Sequence, residues 1–153
     1  MMLIGVRKDV KRMSYNFLGE SKHTLENGCR LIIPLRFRSA LQPEFVLFKA
    51  PEGCLFMYDM ESFKELMAYL RADAHTMEGR KRSRVFMQQA RTIIPDKQGR
   101  FTIPAEFLKH ASISDTVYLL GNDNKIEIWS EDDYINMFGT EPVTPDMYPQ
   151  IPY

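Results

Sequence analysis

Apolar positions recur along the chain with two spacings. Residues 45–49, 54–58, 117–121 and 125–129 are short runs rich in aromatic and β-branched side chains, and they predict strands. Glu52-Gly53 and Asp123-Asn124 mark turns between the members of each pair. Residues 31–33 and 101–103 are two shorter β-rich runs. Each is followed by a proline, Pro34 or Pro104, suited to the first turn of a helix, where a missing N–H costs nothing. Helical spacing is clearest in Phe63, Leu66, Met67 and Leu70, three and four residues apart behind a capping Asp59. Ser130-Glu131-Asp132-Asp133 resembles a capping box ahead of Tyr134, Ile135 and Phe138. Residues 76–89 predict a further helix with basic residues on its exposed side. After Gly139 the prolines at 142, 145, 149 and 152 forbid a helix or a central strand, so a mobile or loosely draped tail is expected.

These elements occur twice. Glu26-Asn27-Gly28-Cys29-Arg30-Leu31-Ile32-Ile33-Pro34 returns as Asp96-Lys97-Gln98-Gly99-Arg100-Phe101-Thr102-Ile103-Pro104, 70 positions later. Phe37 then matches Phe107. At an offset of 71, Val46 matches Val117, Leu55 matches Ile126, Tyr58 matches Trp129 and Phe63 matches Tyr134. Each unit reads as hairpin, short helix, hairpin, longer helix. Asn27-Gly28 predicts a type I′ turn, in which both central residues need positive φ, and Gln98-Gly99 is expected to do the same with one favourable residue.

Composition narrows the class. The 153 residues are 44% hydrophobic and 26% charged, which excludes a disordered or collagen-like chain. No apolar run approaches the roughly 18 residues that span a bilayer. The cations near the N-terminus follow the apolar residues there, so an export signal is not expected. Cys29 and Cys54 form no disulfide framework or metal spacing, and a reduced cytoplasmic compartment is the simple reading. Twenty basic and twenty acidic residues cancel, which excludes a uniformly cationic coat but not a local basic patch. Residues 78–100 carry seven basic side chains against Glu78 and Asp96, whereas seven acids from Asp123 onward face Lys125 alone. This asymmetry allows either ordinary solvated surface charge or head-to-tail association.

Catalytic patterns are missing from the sequence. His23, His75 and His110 have no metal-ligating partner at helical spacing, and no phosphate loop or nucleophile elbow occurs. Glu26 and Asp96 each stand four residues before an arginine, which would keep them ionised and make them poor general acids. The repeated acid-x-x-x-arginine pattern has two other readings. It could be a bridge that fixes a hairpin's register, worth a few tenths of a kcal/mol, roughly, where exposed. It could also be an arginine fork pre-aimed by its acid at a phosphate or a guanine edge.

The chain resembles the MraZ family over roughly residues 17–138. The resemblance is carried by Phe17-Leu18-Gly19, His23-Thr24-Leu25, Gly53-Cys54-Leu55, the Asp96-to-Arg100 hairpin, Leu120-Gly121 and Ile126-Glu127-Ile128-Trp129. Glu26, Gly28 and Cys29 depart from the aspartate, lysine and glycine usual in the first hairpin, which removes a positive charge and shifts the turn glycine. The resemblance implies two tandem domains of the SpoVT-AbrB type. It also implies a nucleoid-associated bacterial regulator of the division and cell-wall gene cluster, which forms ring-like homo-oligomers on short repeated promoter elements.

The expected fold is therefore α+β and β-dominated, with two AbrB-like, swapped-hairpin or double-psi-like barrel halves related by a pseudo-twofold and surrounded by helices. The expected segments are an extension over 1–13, repeats over 14–72 and 89–138, a connecting helix over 73–88 and a flexible tail over 139–153. Double-stranded DNA is the expected partner, with no cofactor, metal, membrane or small-molecule substrate. Arg30 and Arg100 are expected to face DNA, oriented by Glu26 and Asp96. Lys97 and Lys22 would add phosphate contacts, and Arg36 and Arg38 are weaker candidates for which helix-surface packing is an equal alternative. The rival reading is a ring-forming interaction scaffold that does not read DNA, its hairpin acids and arginines pairing between subunits.

Overall fold

A computed structural model describes residues 17–152, so the expected 1–13 extension lies outside the described residues. Among them the strands are β1 (Glu20–Thr24), β2 (Arg30–Ile32), β3 (Phe45–Lys49), β4 (Leu55–Tyr58), β5 (Ala90–Ile93), β6 (Arg100–Thr102), β7 (Thr116–Asn122) and β8 (Lys125–Ser130). The helices are α1 (Leu35–Arg38), α2 (Met60–Asp73), α3 (Met77–Gln88), α4 (Ala105–His110) and α5 (Glu131–Phe138), with 3-10 turns at Ser39–Leu41 and Pro145–Met147. Capping follows the sequence. Asp59 accepts from the Ser62 amide at 2.8 Å, Thr76 Oγ1 from the Gly79 amide at 3.0 Å and Ser130 Oγ from the Asp133 amide at 3.1 Å. Pro34 and Pro104 stand at the cap positions of α1 and α4.

Strand pairing departs from the expected plan. The second hairpin of each unit forms as read, β3 with β4 and β7 with β8. The first does not extend beyond its turn: Glu26 and Arg30 make a single bridge, while β1 pairs with β7 and β5 pairs with β3. The two repeats thereby interleave in one antiparallel sheet of order β1-β7-β8-β4-β3-β5, with β2 and β6 as a separate ladder. The ladders leave this sheet open, with β1 and β5 at its edges, instead of closing two barrel halves. Strand length supplies the reason. A three-residue strand such as β2 offers one inward side chain, Leu31, and two such strands bury their inward residues only by pairing with each other.

Alternation along the strands then sorts two cores. Phe45, Leu47, Leu55, Met57, Val117, Leu119, Ile126 and Ile128 line one face of the sheet. They pack against Leu31, Ile33, Phe101 and Ile103 of the ladder and against Phe37 and Phe107 of the short helices. The other face carries Val46, Phe48, Phe56, Tyr58 and Trp129 under α2, α3 and α5, which contribute Phe63, Leu66, Phe86 and Tyr134. Burying side chains of this size contributes about 1.5–3 kcal/mol each. The ladder is thus held on one side of the sheet and the three longer helices on the other.

Candidate nucleic-acid interface

The β2–β6 ladder is antiparallel, with Arg30 opposite Thr102, Leu31 opposite Phe101 and Ile32 opposite Arg100. Leu31 and Phe101 point inward and are buried, so period-2 alternation sends Arg30, Ile32, Arg100 and Thr102 to the outward face. Arg30 and Arg100 occupy diagonal corners, whose backbone positions in such ladders lie roughly 7–8 Å apart. Matching bonds flank the pair: the Ile33 amide donates to the Gly99 carbonyl, and the Ile103 amide to the Cys29 carbonyl, both at 2.8 Å. Residues related by the 70-position repeat therefore exchange roles across a local pseudo-twofold centred on Leu31 and Phe101.

The two hairpins differ in detail. In the second, Asp96 Oδ1 accepts from the Gln98 and Arg100 amides, both at 2.9 Å, and Oδ2 accepts from Arg100 Nε at 2.9 Å. These bonds, led by the one from the Arg100 amide, hold the Asp96 carboxyl below its ordinary pKa, so it is ionised at neutral pH. Arg100 Nη2 also reaches Gln98 Oε1 at 3.4 Å, which leaves the remaining guanidinium hydrogens uncommitted. The turn itself corrects the expected placement. Gly99 alone has positive φ, at 80°, while Lys97 and Gln98 occupy the central positions, because the aspartate caps the turn amides from one residue earlier.

In the first hairpin Asn27 and Gly28 take φ of 53° and 71°, as a type I′ turn requires. Glu26 Oε1 faces Arg30 Nε at 3.0 Å as an ion pair outside hydrogen-bond geometry, both atoms shielded from solvent. Coulomb attraction is not directional, so the pair holds without that alignment. The longer glutamate side chain makes none of the backbone bonds that Asp96 makes.

The other candidates scatter. Lys97 is exposed in the second turn, free of any ion pair among the described residues. Lys22 points to the opposite face of the sheet, beside Tyr118, and pairs with Glu131 at 2.9 Å, so it is not brought to the arginines. That pairing raises its pKa, the Glu131 hydrogen bond first. Arg36 lies over the Phe37 ring with its guanidinium carbon 4.2 Å from the centroid. Arg38 Nη2 and Nε donate to the Ile33 carbonyl at 2.8 and 3.2 Å. Packing thus engages both α1 arginines. On α3, Arg80, Lys81 and Arg84 are exposed, as expected of a basic face, while Arg82 forms a two-point bridge to Asp73. Ile32, Thr102 and Gln98 are neighbours of the arginines that residue chemistry did not single out. The alternation within Arg30-Leu31-Ile32 and Arg100-Phe101-Thr102 was the available signal.

No group of three or more histidine, cysteine or acidic residues among the described residues could hold a metal ion. No helix among them is long and apolar enough to cross a membrane.

Comparison with known proteins places the chain among relatives. A family model described as "MraZ protein, putative antitoxin-like" matches residues 16–85 and 86–141. The chain is 39% identical over 116 residues to the transcriptional regulator MraZ of Desulfitobacterium hafniense, covering 75% of this chain and 81% of that one. It is 38% identical over 116 residues to the protein of the same name from a Thermoanaerobacter species, with coverages of 75% and 81%. To that of Natranaerobius thermophilus it is 34% identical over 121 residues, with coverages of 78% and 85%. With both repeats matched and relatives similar over most of their length, the chain belongs to the MraZ family.

Proposed function

We propose that this chain is a sequence-specific DNA-binding transcriptional regulator that reads repeated promoter elements through the outward face of the β2–β6 ladder. The observation that carries the reading is the diagonal pair Arg30 and Arg100, each held by its own acid, on a solvent-facing two-stranded ribbon. The major groove of B-DNA admits such a ribbon, and arginine is the side chain that most often reads guanine there. Glu26 and Asp96 orient the two guanidinium groups, and Lys97 adds a phosphate contact. The exchange of strands between repeats supports an AbrB-like, swapped-hairpin origin for the halves at 14–72 and 89–138. Repression or activation of the division and cell-wall gene cluster, in the nucleoid, is the role this reading assigns.

One ribbon carries two arginines largely offset by their acids, so a single copy binds weakly. A homo-oligomeric ring that sets many ribbons along repeated DNA raises effective concentration and makes up the difference. The scaffold alternative needs hairpin charges that seek partners on other subunits. Pairing within each hairpin argues against it. The test is binding to the chain's own upstream promoter against scrambled DNA at two salt concentrations. Preference for the promoter, with affinity falling as salt rises, is expected. Equal binding to both DNAs, or none, would return the scaffold reading.

A further inference from the structure

Arg38, on α1 of the first repeat, lies across the hairpin of the second. Its guanidinium donates twice to the Ile33 carbonyl, and the Ile33 amide in turn donates to the Gly99 carbonyl at 2.8 Å. A Cβ added to Gly99 would come within 2.4 Å of Arg38 Nε, so the glycine admits the arginine as well as the turn's positive φ. Gln42, just beyond α1, reaches the Asp96 carbonyl with Nε2 at 3.3 Å. Three points of the second hairpin are therefore braced from the first repeat: the face of Gly99, its carbonyl and the carbonyl of Asp96.

The first hairpin repeats only the ladder bond, from the Ile103 amide to the Cys29 carbonyl at 2.8 Å, and has no equivalent of the side-chain brace among the described residues. Seventy positions on, Leu108 stands for Arg38 and Ser112 for Gln42, and Leu108 has no side-chain donor. Cys29 stands where the second hairpin has Gly99. The side-chain brace is built at one of the two hairpins, and it is built around the turn that presents Arg100.

We propose that Arg38 is a positioning residue for Arg100: it holds the second hairpin in its reading geometry across the repeat boundary and does not itself contact DNA. This rests on the DNA-binding reading above. Holding a loop in its bound shape removes an ordering cost from binding, so the second hairpin becomes the stronger of the two reading heads. The planar fork is what the site uses, and a lysine ammonium keeps the charge but not the fork.

Two measurements on Arg38→Ala and Arg38→Lys in the full chain test this. The first is amide hydrogen exchange without DNA at Asp96, Gly99 and Arg100, with Glu26, Cys29 and Arg30 as the control within the same molecule. Exchange about tenfold faster at the second hairpin only, in both variants, is expected. The second is promoter affinity against salt. A loss of about three- to tenfold with the wild-type salt slope is expected in both variants, since no phosphate contact is removed.

Unchanged exchange at the second hairpin overturns the proposal, and so does an equal rise at both hairpins. It is also overturned if the alanine variant loses about one unit of salt slope while the lysine variant binds as wild type, the signature of a direct phosphate contact. If neither variant folds, the residue holds the core and the proposal fails. Should the wild-type chain not prefer its promoter, the DNA reading fails, and the exchange measurement still decides the brace.

Discussion

Leu31 and Phe101, 70 positions apart in the chain, face each other at the centre of the β2–β6 ladder and are both buried. Phe101 also meets Phe45 edge-on at 5.0 Å, so the ladder is pinned to the sheet at the point where the repeats meet. Phe101→Ala is expected to destabilise the chain by about 3–5 kcal/mol and Leu31→Ala by about 2–5 kcal/mol. Because they are directly opposite in the ladder and share one core, the double variant should depart from the sum. Chemical denaturation of the three variants checks this, and costs below 1 kcal/mol, roughly, would mean that the ladder is not part of the core.

Arg30→Ala and Arg100→Ala should each weaken promoter binding while leaving the fold intact. One arginine–base contact is worth about 1–3 kcal/mol, whereas an exposed ion pair contributes at most about 1 kcal/mol to stability. The loss from Arg100→Ala should be the larger, and the double variant should approach binding to scrambled DNA. Lys97→Ala should weaken specific and scrambled DNA alike and flatten the salt dependence. Gel-shift titrations beside thermal melts separate these outcomes. Variants that bind as wild type would move the DNA-contacting role to the exposed cations of α3.

His23 sits on the ladder side of the sheet, hydrogen-bonded to Ser21 Oγ at 2.7 Å. Burial first, and then the Arg36 charge, lower its pKa from 6.5. The unfolded chain therefore binds this proton more readily than the folded one. Stability contributed by the neutral ring is present above pH 6.5 and is lost as pH falls below that value toward the folded pKa. Melting temperatures measured from pH 7.5 to pH 5, roughly, should fall more steeply for wild type than for His23→Gln. Parallel slopes would remove His23 as the cause.

Cys54 is buried at 1% exposure, and burial pushes its thiol up to about 12. Cys29 is half-buried in the first hairpin. An alkylating reagent at neutral pH should modify Cys29 in the native chain and reach Cys54 only on unfolding. Mass spectrometry of the labelled peptides reads this directly. Labelling of Cys54 first would mean that the sheet opens near β4.

Trp129, the chain's one tryptophan, donates from Nε1 to Glu127 Oε1 at 2.8 Å, and Asn122 Nδ2 donates to Oε2 at 2.9 Å. Glu127→Ala leaves both donors unpaired, one of them buried. A loss of about 1–3 kcal/mol and a shift in tryptophan emission are expected. Unchanged emission and stability would show that water replaces the carboxylate.

Local chemistry was enough to determine the units of this protein. Asp59, Ser130 and Pro104 marked helix starts, and the aromatic and β-branched runs marked β3, β4, β7 and β8, because caps and strand alternation act over a few residues. The internal repeat likewise made Arg30 and Arg100 candidates with their acids. Partner choice among strands was a different matter. That β1 joins β7, β5 joins β3 and the two shortest strands join each other depends on which pairing buries Leu31 and Phe101 together, a long-range contact that no local window contains. The same holds for the charged residues. Lys22 was expected at phosphate and Arg38 either at DNA or packed on its helix, and only the packed chain put one against Glu131 on the far face and the other over Gly99. A charge takes its role from whatever the fold sets within a few ångströms of it.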